Sequence, residues 1–173
     1  MEAPQYPVGP YNAQEDDQPS RRETLIGVIE KAPQVLLEAV KGLSDAQLDA
    51  KYKNWTIRQI VHHLADSHVN SYIRFKWALT EDKPLIKAYD DGQWAELADS
   101  KKGPIEAPLA MMEGVHKQWL VVLKSMTDDK FKRIYVYPNN NREMTLSNAL
   151  GIYAWHGRHH TGQIIWMKEQ KKV

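Results

Sequence analysis

The chain has 173 residues, which at roughly 100–200 residues per domain is enough for one. Its 23 basic and 22 acidic side chains leave a net charge of +1, so nothing draws it globally toward nucleic acid, and no strongly basic segment stands out. Cysteine is absent, which removes disulfides, thiolate zinc sites, iron–sulfur clusters and any catalytic thiol from the chain itself and fits a reducing cytoplasm.

Residues 1–19 hold four of the nine prolines and the acidic run Glu15-Asp16-Asp17, without periodicity. They read as an irregular N-terminal arm ahead of a bundle domain over 20–173. Ser20 with Glu23 has the spacing of a capping box. Leu25, Ile29, Ala32, Leu36, Ala39 and Leu43 then mark one apolar helical face, kinked at Pro33 and stopped at Gly42. Ser44 and Gln47 predict a short connecting helix. Thr56 with Gln59 is a second capping box, opening a helix to about Leu79. Residues 80–103 read as a long connection with one helical turn near Trp94. A third helix covers about 105–126, with Met112, Val115, Trp119, Val122, Leu123 and Met126 on one face. Ile134 to Tyr137 is β-prone, and Pro138-Asn-Asn-Asn141 behind it signals a small hairpin. Thr145 caps a fourth helix to about Gln170. Four amphipathic helices with uneven connections predict an all-α helix bundle. No apolar run approaches the ~18 residues of a membrane helix, and no secretory signal is evident, so a cytoplasmic protein is expected.

Seven histidines remain to be placed. At ~100° per residue, His156 and His160 fall together near the edge of the apolar stripe of the last helix, one turn apart. His159 points away toward the polar side. Each buried imidazole brings a polar nitrogen that needs a partner, and a metal ion satisfies two at once. A third ligand would come from the second helix. There His68 lies in the apolar stripe, His63 borders a polar strip with Ser67, Asn70 and Arg74, and His62 points outward. Periodicity picks His68 as the buried ring, while a border histidine better suits a site open to substrate. His116 of the third helix reads as a core or supporting residue.

Trp55-Thr-Ile-Arg-Gln-Ile-Val-His-His-Leu-Ala-Asp-Ser-His-Val-Asn-Ser-Tyr-Ile-Arg-Phe75 and Trp155-His-Gly-Arg-His-His160 resemble the two signature helices of the DinB/YfiT-like family. Tyr6-Pro-Val-Gly-Pro-Tyr11 and the stretch from Tyr89 to Trp94 are similar to its YfiT branch, described as metal-dependent hydrolases. The resemblance covers nearly the whole chain. It implies an up-down-down-up four-helix bundle, a homodimer, and one divalent ion, zinc or nickel, held by His63, His156 and His160. His63 thereby displaces His68, which is left as a buried, hydrogen-bonded residue. Related members use low-molecular-weight thiols such as bacillithiol.

Three neutral imidazoles leave the charge of an ion to its remaining ligands. Water there would ionise near neutral pH, giving a hydrolase of a small-molecule substrate. An external thiol held as thiolate would give an S-transferase instead. Arg74 is a candidate clamp for a substrate carboxylate or phosphate, and Asn70 a candidate for orienting water. Asp66 and Asp90 are candidates for supporting a ligand or acting as base. The non-enzymatic alternative is a binding or dimerisation module with a structural metal, which would take four protein ligands.

Overall fold

Thr56 opens the helix that carries the first histidine. In the computed structural model, which describes residues 2–16, 18–170 and 172–173, its hydroxyl accepts from the Gln59 N–H while the Gln59 side chain accepts from the Thr56 N–H. Such a cap stabilises a helix start by about 1 kcal/mol. In chain order the elements are α1 (Ala13–Asp16), a 3-10 turn (Pro19–Arg21), α2 (Arg22–Val40), α3 (Asp45–Leu48), β1 (Lys51–Tyr52), β2 (Trp55–Thr56) and α4 (Ile57–Thr80). There follow α5 (Asp91–Ala95), α6 (Ala98–Lys102), α7 (Glu106–Ser125), α8 (Asp128–Phe131), β3 (Ile134–Tyr137), β4 (Arg142–Thr145) and α9 (Leu146–Glu169).

The capping boxes at Ser44 and Thr56 form as the sequence predicts, but the one at Ser20 does not. The 3-10 turn already winds through Ser20, and the Arg22 N–H donates to the Pro19 carbonyl, so the serine lies inside the helical path rather than at its boundary. Pro33 sits within α2 without ending it. Gly42, at φ +77°, reverses the chain just past the helix, a conformation glycine adopts without strain. Instead of one turn near Trp94, the long connection holds two short helices, α5 and α6. The β1–β2 hairpin, with Lys53 at φ +54°, carries no alternation long enough to announce itself. The second hairpin pairs Ile134 with Thr145 and Tyr137 with Arg142.

The four long helices form an all-α, up-down-down-up bundle with only small strand hairpins. Helix α2 packs on α9 and α7, and α4 packs on α7 and α9. The connection over 81–105 is long because it returns the chain along the bundle before α7 begins. The core divides into two apolar lobes. Leu25, Ile29, Phe75, Trp119 and Leu150 belong to one, and Leu36, Ile60, Leu64, Met112 and Ile164 to the other. On α4 the lobes are separated by His68, on α7 by His116, and on α9 by His156 and His160. A layer of imidazoles therefore crosses the middle of the bundle. Among the described residues, no helix is long and apolar enough to cross a membrane.

Candidate metal centre

Helices α4 and α9 face one another, and each supplies part of the histidine layer. One ring nitrogen from each of His63, His156 and His160 lies within 4.8 Å of the others. The Nε2 atoms of His63 and His156 approach to 3.0 Å. Burial lowers the His63 pKa to about 4. It lowers that of His160 to about 3, with the neighbouring His63 adding to the effect. His156 is also pushed down, first by burial and then by His160 and His63. All three rings are thus neutral at pH 7, the state in which imidazole offers a lone pair. Among the described residues, no carboxylate or fourth histidine joins the group.

The second turn of ring contacts fixes orientation. His160 donates from Nδ1 to Oε1 of Gln163 at 2.9 Å, while Nε2 of Gln163 donates to Nε2 of His159 at 3.1 Å. The amide is read consistently from both sides, and Nε2 of His160 keeps its lone pair. Gln163 lies three residues after His160 and four after His159, a helical spacing visible in the sequence but not singled out there. A divalent ion fits this donor set: three neutral nitrogens converge, no acidic group competes, and two of the rings turn the same kind of nitrogen at each other.

One side of the cluster is open. A cavity of about 280 Å³, lined by Tyr52, Lys53, Asn54, Trp55, His160 and Gln163, reaches the His160 ring. The β1–β2 hairpin builds this mouth and sets the Trp55 ring 4.6 Å from that of His63. The N-terminal arm lies against α9 and also reaches the mouth, where the Tyr52 hydroxyl donates to the Pro4 carbonyl. The Trp155 indole N–H donates to the Gly9 carbonyl at 2.9 Å. A side chain at Gly162 would come within 2.9 Å of Val8, so glycine there admits the arm. His159, expected on a polar face, is buried because Tyr6 covers it and Trp155 stacks on it at 4.6 Å.

The other sequence candidates fall around this centre. His68 is fully buried and hydrogen-bonded to His116 at 2.9 Å. His62, expected to point outward, is buried too, because α6 packs on that face of α4 and brings Asp99 and Gly103 near it. Asp90 caps α5, accepting from the Gln93 N–H at 2.9 Å. Asp66 has its carboxyl pushed up to about 6, by burial and then by Asp99, but does not join the histidine group. Asn70 folds its amide back to donate to the Asp66 carbonyl at 2.8 Å. Arg74 is buried at 5% exposure and makes no ion pair among the described residues. It donates from Nη1 to the Tyr153 hydroxyl at 3.1 Å, and its Nε has no partner. The Tyr153 ring in turn lies 5.9 Å from that of His156.

A helix bundle with three histidines from two facing helices defines the class. The model of the DinB superfamily matches residues 29–164, and the chain belongs to that superfamily. "Putative metal-dependent hydrolase YfiT" of Bacillus subtilis (strain 168) is 45% identical over 161 residues, covering 92% of this chain and 90% of that protein. A "Putative metal-dependent hydrolase" of Geobacillus thermodenitrificans (strain NG80-2) is 40% identical over 168 residues, covering 96% and 94%. A solved structure, described as YfiT from Bacillus subtilis, "a probable metal-dependent hydrolase with an unusual four-helix bundle topology", matches with a TM-score of 0.91 at 43% identity. The match covers 96% of this chain and 97% of that one.

Proposed function

We propose that this protein is a metal-dependent hydrolase acting on a small molecule, with His63, His156 and His160 holding one zinc or nickel ion. The observation that carries the reading is three neutral ring nitrogens converging beside an open cavity with no fourth protein donor among the described residues. A structural site would close its coordination with protein. When bound, the ion supplies Lewis acidity sufficient to ionise water near neutral pH. The chain's own residues do the rest. Gln163 orients His160, and the Trp55 ring walls the cluster beside His63, limiting solvent to the side of the cavity. Arg74, a buried cation without an acidic partner, is our candidate for an anionic group of the substrate. No role is assigned to Asn70, whose amide is engaged with its own helix. The working unit is a homodimer in this reading, which sedimentation equilibrium tests.

Elemental analysis of the purified chain, followed by a panel of activated esters and amides, tests the function. We expect one divalent ion per chain, its loss in H63A, H156A and H160A, and turnover that chelation abolishes. Retention of a full equivalent in all three variants, or turnover that survives chelation, overturns the reading. Activity appearing only when a low-molecular-weight thiol is added replaces the hydrolase with an S-transferase.

A further inference from the structure

The half-buried His156 and the buried His68 and His116 follow one another from the candidate metal centre into the bundle. His156 Nδ1 lies 3.5 Å from His68 Nε2, the longest link of the series. His68 Nδ1 lies 2.9 Å from His116 Nε2. His116 Nδ1 lies 2.6 Å from the backbone carbonyl of Ile29. Within α2 that carbonyl would ordinarily accept from the N–H of residue 33, four positions on. Residue 33 is proline and has no N–H, so the carbonyl is free for another donor.

Hydrogen-bond direction then propagates along the row. A carbonyl only accepts, so His116 carries its proton on Nδ1 and presents a lone pair at Nε2. His68 must donate to that lone pair from Nδ1, leaving Nε2 as acceptor. His156 must donate to His68 from Nδ1, leaving Nε2 bare. Nε2 is the nitrogen that faces His63. The requirement of the far end, a proton toward a carbonyl, and that of the near end, a lone pair toward a cation, are met by one arrangement of three neutral rings. The row ends on a carbonyl, which cannot pass a proton on. It is therefore a lock rather than a conduit, although His116 also borders a cavity of about 520 Å³ between α2 and α7.

We propose that the Ile29 carbonyl, freed by Pro33, fixes the tautomer of His156 through His116 and His68, making both histidines positioning residues for the metal ligand. The proposal builds on the three-histidine reading above, and its first measurement is independent of metal. Long-range proton–nitrogen correlation spectra of the metal-free, histidine-labelled full chain report each ring's tautomer directly. The expected result is the Nδ1–H form for His156, His68 and His116 alike. An Nε2–H form at His156, His68 or His116 overturns the lock, whatever any variant does. Zinc affinity, measured by competition with a chromophoric chelator, is the second readout. H116L leaves His68 without its acceptor and should bind zinc about 10-fold more weakly, the low end of the effect of losing a direct partner of a ligand histidine, because His116 acts on His156 through His68. H116Q should recover most of that affinity, because its amide accepts from His68 through Oε1 and donates to Ile29 through Nε2. P33A restores an N–H that competes for the carbonyl, and should weaken zinc binding while regularising the helix. Zinc affinity within twofold of wild type in H116L overturns the proposal. A wild-type chain that binds neither zinc nor nickel defeats the proposed function, and the tautomer spectra still decide the lock separately.

Discussion

Replacing His116 by glutamine should flatten the acid sensitivity of the metal-free protein. Burial, only partly opposed by the hydrogen bond to Ile29, lowers the His116 pKa from an ordinary 6.5 to about 4. Between these values the unfolded chain binds a proton that the folded chain refuses. Stability from this ring is therefore full above pH 6.5 and is lost as the pH falls toward 4. At about 1.36 kcal/mol per pH unit, the window is worth at most about 3.4 kcal/mol, and about 2 kcal/mol of it is spent between pH 7 and pH 5. Glutamine keeps one donor and one acceptor but does not titrate. Urea unfolding of chelator-treated protein at pH 7 and pH 5 should show wild type losing about 2 kcal/mol more than H116Q over that interval. The histidines outside the row titrate in both proteins and cancel, while His68, which burial and then His116 hold below its ordinary value, adds to the difference in the same direction. Parallel losses in the two proteins would refute the argument.

Two glycines should respond to alanine with opposite signs. A Cβ at Gly103 would stand 2.4 Å from the Asp99 carbonyl oxygen, so G103A should cost about 1–3 kcal/mol in urea unfolding, whereas Gly27 has open space and G27A should gain about 0.5–1 kcal/mol. Trp119 is fully buried with its ring 5.1 Å from that of Phe75, and W119A should cost about 3–5 kcal/mol; a loss below about 1 kcal/mol would show that this lobe of the core collapses to fill the gap. If Arg74 meets a substrate anion, R74Q should lower kcat/KM for anionic esters about 10–100-fold while sparing neutral ones, and an equal loss on both would show that it only supports the fold.

The long helices were legible because each repeats its apolar positions over five or more turns, and Thr56 and Thr145 mark two of their starts. The i,i+4 pair on α9 was legible for the same reason. His63 was not, since its own helix offered His68 as the more buried ring, and the choice came from the family resemblance. The geometry that supports His63 in our reading lies on other elements: His116 on α7 engages His68, and His156 on α9 faces His63. His62 and His159 were misjudged because helical periodicity sees one helix at a time. It could not know that α6 or the residues around Tyr6 would cover those faces. The β1–β2 hairpin is two residues on each side, too short for any alternation to show, yet it builds the mouth of the site.

The separation of His63 from His156 by 93 positions has a consequence during synthesis. At about 5–20 residues per second, a ribosome needs about 5–20 s to travel from one to the other. For that interval the Thr56 helix exists without the partner that completes its histidine group. In the proposed reading, any ion met in this window finds at most one of the three rings, so loading would follow the emergence of the last helix. The pool of available metal at that late moment, rather than during most of translation, is then what the proposed site would sample.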